Sequence, residues 1–372
     1  MTEQTQKLHP CLSEAAILFP VLVLVGLGII MVYSASSAIG LAKYNDNFYF
    51  MQRQALFSVV SLGIMFTASM VPYQVFRPFS YGILILSMAS LCAVHVPSLG
   101  VKAGGAYRWL RLGGFTFQPA EVAKFAMIIF MAYSLTKKQD KIDDFYVGFV
   151  PHVIVLSLLS LMIIIQPDLG TVVILGSITW AMMYIAGVRI SHLLSLFPIA
   201  VLLAYFFVYK VGYRWDRWIS FLHPWDDPLD KGYQITHSLK AFGSGGVFGQ
   251  GIGLGMQKLH YLPEPHTDFI FSVIGEELGL VGVLFVLLLY SIILWRGAAI
   301  ARQTNNLFGA LIAAGLTVSL GIQVVINTGV TLGLLPTKGL TLPFLSYGGT
   351  SLVINMACMG ILMNIGASEN NG

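Results

Sequence analysis

Ten long apolar runs, spaced along nearly the whole chain, constrain this sequence more than any other feature. They fall at approximately 15–36, 54–71, 78–96, 119–136, 148–165, 169–187, 190–210, 269–295, 307–334 and 347–366. Each is close to the roughly 20 residues that carry an α-helix across a bilayer. No water reaches the hydrocarbon core to satisfy open backbone groups, so such runs must be helical. The fold expected is an all-α integral membrane protein of about ten transmembrane helices. The charge content agrees. Only 10% of the 372 residues are charged, against roughly 25% in soluble domains.

The net charge of +4 is small and no basic tract appears, which argues against nucleic acid as a partner. Cys11, Cys92 and Cys358 have neither metal-ligand spacing nor the makings of a disulfide framework. Ser34 to Ala38 could pass for a signal-peptide cleavage site. However, no charge occurs between Glu14 and Lys43, so the first run exceeds a signal peptide's roughly 7–15 apolar residues and reads as a retained helix.

There is no internal repeat, and residues 1–372 read as a single polytopic domain. Ten spans put both termini on one side. The short tail 1–14, the lysines Lys137, Lys138 and Lys141, and a slight excess of Lys and Arg mark that side as cytoplasmic. A large extracytoplasmic loop, 212–268, then separates helices seven and eight. It holds Trp215, Trp218 and Trp225 and seven glycines between Gly243 and Gly255. A loop this long is usually functional or disordered. Its aromatics favour order at the bilayer surface, with parts lying as interfacial helices. The glycines suggest tight turns or a mobile segment, and lack the strand, lysine and helix of a phosphate loop.

The fourth run carries two charges. Only twelve residues separate Lys124 from Lys137, too few to cross, so the helix must begin near Pro119. Glu121 and Lys124 then lie in the membrane or at its boundary, three apart and able to pair. They read equally well as an internal ion pair and as a functional site. Before them comes a Gly-rich segment, 104–114, expected to be a loop. Trp109 there is most simply an interfacial anchor, while Arg108 and Arg111 have the guanidinium fork that matches phosphate.

Asp268 opens the eighth run, after Pro263, Pro265 and His266. The plain reading is an acid favoured by the helix dipole. The chemical reading is a carboxylate at the membrane edge, its pKa raised by burial, serving as a general base. Glu276 and Glu277 follow, with Asp268, Ser272 and Glu276 on one face. Structural pairing suits these two glutamates at least as well as chemistry. Lys338 lies in Leu335 to Ser351, whose prolines and glycines make a broken, re-entrant-like stretch. Such backbone survives at membrane depth only when buried or lining a cavity, although a lysine there could also snorkel. Asp168, before Leu169 and Gly170, is explained by turn chemistry.

The run from Leu335 to Ser351 resembles the signature of the SEDS family, the shape, elongation, division and sporulation proteins. Pro263 to Phe271, Glu276 to Gly279, Gln166 to Thr171, Trp109, and Phe117 to Lys124 resemble further motifs of it, in order along nearly the whole chain. Pro336-Thr337-Lys338-Gly339-Leu340 looks like the FtsW branch rather than the RodA branch. Pro265 departs from the family pattern, in which many relatives carry a different small residue before the histidine.

The resemblance implies a peptidoglycan glycosyltransferase that polymerises lipid II at the outer face of the bacterial cytoplasmic membrane, in the FtsW branch at the division septum. The catalytic residue implied is Asp268, supported by Trp109 and Glu121, with Arg111, Lys124, His266 and Lys338 as further substrate-binding candidates. The donor would be a glycan on undecaprenyl pyrophosphate. Cations at Arg111, Lys124 and Lys338 would stabilise the departing diphosphate, and a divalent cation (Mg or Mn) could share that task. The implied partners are a class B penicillin-binding protein, the septal transpeptidase, and other divisome membrane proteins. Two rival readings are a lipid II flippase, which ten helices with intramembrane charges would also suit, and a non-enzymatic scaffold for the transpeptidase.

Overall fold

The computed structural model describes residues 9–103, 105–113, 115–209, 212–230, 232–256 and 262–370. The apolar runs are helices. In chain order they are α1 (His9–Tyr44), α2 (Tyr49–Met70), α3 (Phe76–Ala93), α4 (Pro119–Lys137), α5 (Val150–Ile165), α6 (Leu169–Ile185), α7 (Ile190–Leu194), α8 (Leu196–Tyr209), α9 (Gly212–Leu222), α10 (Tyr233–Gly245), α11 (Ile270–Gln303), α12 (Leu307–Thr331) and α13 (Gly349–Asn370). Among the described residues eight helices are long and apolar enough to cross a membrane. The chain is an integral membrane protein. The sixth and seventh runs fall short of that length. Leu169–Ile185 is a shorter apolar helix, and the seventh run is divided between α7 and α8 at Ser195.

The helices differ in how much protein surrounds them. In α4, 78% of the span is buried, against 22% in α2 and α3. α4 is therefore a central post, packed by α3, α6, α12 and α13. Pro119 opens it at the first-turn position, where its missing N–H costs nothing.

The segment expected as a Gly-rich loop is not a loop. Residues Gly100–Ala103 (β1), Ala106–Leu112 (β2) and Phe115–Phe117 (β3) form a small antiparallel sheet in the order β1-β2-β3. An otherwise helical chain thus carries a three-stranded cap. Gly104 and Gly114 of that segment lie outside the described residues. Alternation of aromatic or leucine side chains with arginines in Ala106–Leu112 is the available strand signal. The surrounding glycines masked it.

The large loop contains two helices, α9 and α10. Its glycines do more than turn the chain. α11 is 34 residues long, but Gly279 is non-helical within it (φ 66°, ψ −164°) and splits it into 270–278 and 280–303. The broken helix needs new backbone partners. Gly246 O and Val247 O accept from Leu280 N and Val281 N, and Gln250 N and Gly251 N donate to Glu276 O and Glu277 O. Gly249 comes so close to the Gly279 backbone that a side chain has no room at either.

The stretch between α12 and α13 is irregular, exposed at Leu334 and Gly339 and buried from Leu342 to Ser346, with Leu342 and Phe344 1% exposed. Its polar backbone is satisfied by side chains from the surrounding helices. Asn327 of α12 donates to Leu340 O, Tyr290 of α11 to Pro343 O, and Gln54 of α2 to Ser346 O.

Candidate active site

Asp268 stands two residues before α11. An acid at a helix start commonly spends its oxygens on the free N–H groups of the first turn. Asp168, before α6, does so, accepting from Thr171 N at 3.1 Å and from Thr171 Oγ1 at 2.7 Å. Asp268 does not. Phe269 holds the cap position of α11, and no side chain caps that helix. Among the described residues no ion pair reaches Asp268 either.

The Asp268 carboxyl is pushed up from 3.8 to about 7, chiefly by burial and then by the charge of Glu264. Arg217, Arg108 and a hydrogen bond with Thr267 pull the other way. A group poised near neutrality can both take and release a proton.

Gly339 forms one wall. A methyl group there would stand 3.1 Å from Oδ2 of Asp268, so the missing side chain is what lets the 335–348 stretch approach the acid. The two segments are tied together by hydrogen bonds. Asn327 Nδ2 donates to Asp268 O at 3.0 Å and to Leu340 O at 2.6 Å. Tyr347 N donates to His266 O at 2.8 Å, and Ser346 Oγ to Thr267 O. Fixed geometry of this kind is what a catalytic carboxylate requires.

Lys338, beside Gly339, is half-buried. Burial lowers its pKa, and the charge of Asp168 raises it back in part. Asp168 therefore serves both as a helix cap and as a counter-charge at the edge of this site. Arg108 donates from Nε to Gln166 O at 2.9 Å and from Nη2 to Pro167 O at 2.8 Å. Arg217, on α9, donates from Nη1 to Thr337 O at 3.4 Å.

Of the other candidates from the sequence, Trp109 and Arg111 stand on β2, and Glu121 and Lys124 at the start of α4. Neighbouring side chains on a strand point to opposite faces. Along β2, Ala106 and Leu110 are buried, whereas Tyr107 and Arg111 are exposed. The alternation breaks at Arg108, the extra residue of a β-bulge facing Val101 and Lys102, and Arg108 and Trp109 are both half-buried. Arg108, not Arg111, is the strand arginine whose charge acts on the acid. Glu121 and Lys124 form a buried ion pair of 2.9 Å. Ser319 and Gln323 of α12 and Asn355 of α13 join them around a separate cavity of about 10 Å³.

His266 is buried among rings, 4.6 Å from Phe50 and 5.6 Å from Tyr347 by ring centroids. Burial lowers its pKa, which suits a neutral packing residue. Glu276 and Glu277 are structural as well. Glu276 Oε1 accepts from Met256 N at 2.8 Å, and Glu277 accepts from Ser34 Oγ at 2.7 Å.

Arg217 and Asn327 were missed in the sequence. Asn327 had a signal, since a polar amide deep in a long apolar run is seldom idle. Arg217 had a weaker one. It lies opposite the aromatic stripe of its helix, where a surface helix turns toward its protein.

The family model described as cell cycle protein, FtsW/RodA/SpoVE, matches residues 15–371. The chain belongs to this family. It is 44% identical over 352 residues to the probable peptidoglycan glycosyltransferase FtsW of Geobacter sulfurreducens, covering 95% of this chain and 94% of that one. It is 42% identical over 344 residues to stage V sporulation protein E of Bacillus subtilis, covering 92% and 94%. Two solved structures share its fold at 27% identity. One, with a TM-score of 0.76 over 95% of this chain and 97% of that one, is described as the structural coordination of polymerization and crosslinking by a peptidoglycan synthase complex. The other is the rod shape determining protein RodA of Thermus thermophilus, with a TM-score of 0.70 over 95% and 96%.

Proposed function

We propose that this protein is a peptidoglycan glycosyltransferase that polymerises lipid II at the outer face of the cytoplasmic membrane, for septal wall synthesis, beside a class B penicillin-binding protein and other division proteins. Both termini then lie in the cytoplasm and the 212–268 loop lies outside. One observation carries the reading. Asp268, raised to about 7, is left free of capping duty in a fixed turn against a glycine wall.

In the reaction, a sugar 4-hydroxyl of one lipid II attacks the anomeric carbon of the growing glycan. Asp268 accepts the hydroxyl proton as the new glycosidic bond forms. The bond from the anomeric carbon to the undecaprenyl diphosphate breaks, and its electron pair leaves with the diphosphate. Cations placed where charge develops lower that barrier. Arg108, Arg217 and Lys338 surround this region, taking the place of Arg111 and Lys124 in the sequence expectation. Among the described residues no group of three or more His, Cys, Asp or Glu side chains gathers to cage a metal ion. The fixed cations of this chain are the groups assigned to the diphosphate.

The test is incubation of purified protein with lipid II, with and without a cognate class B penicillin-binding protein, and separation of the products by size. Glycan polymer is the expected result. Movement of lipid II across vesicles without polymer would instead identify a flippase. Enhanced crosslinking by the partner, with no polymer from either protein, would identify a scaffold.

A further inference from the structure

A second cavity, of about 430 Å³, is lined by Arg217 of α9, Leu229 and Asp230 before α10, Tyr233 and Gln234 in its first turn, Pro263, and Thr337. Two of its walls belong to the segments that build the site. Pro263 begins the turn leading to Asp268, and Thr337 precedes Lys338 and Gly339. Its size lies within the roughly 300–1,000 Å³ of small-molecule sites.

The helix that carries Arg217 also sets its depth. Trp215, Trp218, Ile219 and Leu222 recur at helical spacing and are all exposed, by 40 to 61%. They make one apolar, aromatic face, on which Tyr209 of α8 packs edge-on against Trp215, 5.1 Å between ring centroids. Such a face lies in the boundary between lipid tails and headgroups. At 100° per residue, Arg217 falls on the opposite side, with Ser220, which is 4% exposed. α9 thus anchors in lipid by one face and presents a guanidinium to the protein at headgroup depth by the other. The phosphates of a lipid-linked sugar lie at that same depth.

The rest of the lining suits carbohydrate. Asp230 and Gln234 can accept from sugar hydroxyls, Gln234 can donate to an acetamido carbonyl, and the ring of Tyr233 offers an apolar face.

From this arrangement we infer that the cavity between α9, α10 and Thr337 is a subsite for the sugar–diphosphate end of the lipid substrate, with Arg217 as its phosphate-binding cation. The inference rests on the glycosyltransferase reading above for the nature of the substrate. It adds a residue and a binding surface that the motifs did not mark.

The experiment separates binding from turnover. Full-length Asp268→Ala protein in nanodiscs, which cannot consume substrate, is titrated with undecaprenyl diphosphate and with undecaprenol. Adding Arg217→Met should weaken the diphosphate about tenfold or more, the worth of a lost charge-assisted contact, and leave undecaprenol unchanged. Arg217→Lys keeps the charge without the fork and should fall between. In the otherwise native protein, Arg217→Lys should raise KM for lipid II more than it lowers kcat. Equal affinity for the diphosphate with and without Arg217 would overturn the proposal. So would an equal loss for both lipids, or a fall in kcat alone. If the native protein makes no polymer, the glycosyltransferase reading fails, while the two-lipid titration still reads the subsite by itself.

Discussion

The Glu121–Lys124 pair and Asp268 both hold charge where most of the surroundings are apolar, and they hold it in opposite ways. The pair is closed on itself at 2.9 Å, in the most enclosed of the described membrane spans, around a space of about 10 Å³. That is room for about one water. Asp268 has no capping duty and no ion pair among the described residues, and its turn adjoins an open cavity of about 430 Å³. Buried charge satisfied from within steadies helices. Buried charge held in a fixed turn, close to neutrality and next to open space, is available for chemistry.

The sharpest way to break this comparison is to remove each charge in turn. Asp268→Ala should lower polymerisation by about 100- to 10,000-fold, the range for a lost general base, with the protein still inserted and its thermal melting preserved. Near-native polymer from that variant would strip Asp268 of its role. Lys124→Met should act on the fold instead. Stranding the partner carboxylate costs about 3–5 kcal/mol, read as a lower Tm in detergent. The double variant Lys124→Met with Glu121→Leu should recover most of that loss. If it does not, the pair has a function beyond mutual neutralisation.

Smaller effects sharpen the acid's side of the contrast. Gly339→Ala places a methyl 3.1 Å from Oδ2 of Asp268. It should cost about 10- to 100-fold in kcat through misplacement, with Tm nearly unchanged. The pH response should be smaller still. Polymerisation should rise as pH passes through about 7, where Asp268 ionises. Stability runs the other way. An acid whose folded pKa is raised binds its proton more tightly folded than unfolded. Its contribution is full below 3.8 and is lost as pH rises through about 7. Asp268→Asn mimics the protonated form, so its Tm should exceed the native value at pH 8 and converge with it toward pH 4. An Asn variant less stable than native protein at pH 8 would contradict the burial assigned to this carboxylate.

Much of this was legible in the amino acids. Long apolar runs leave the backbone no choice but helix in lipid, so the membrane architecture followed from length and composition. Pro119 and the short distance from Lys124 to Lys137 placed the charges inside α4. The prolines and glycines of 335–351 marked a buried break. The resemblance to a known family singled out Asp268 and implied the reaction proposed here. What the sequence could not decide was which charges meet. Arg108 and Arg111 are alike as residues, and only the bulged path of β2 brings one of them to the carbonyls of Gln166 and Pro167. Asp168 and Asp268 both precede helices, and only the backbone path through Phe269 leaves the second uncapped. Arg217 lies 51 residues before Asp268 in the chain, and no local pattern joins them. Helical and apolar tendencies act over a few neighbours and survive being read one segment at a time. Electrostatic partnership depends on distances across the folded molecule, which exist only once the segments have packed.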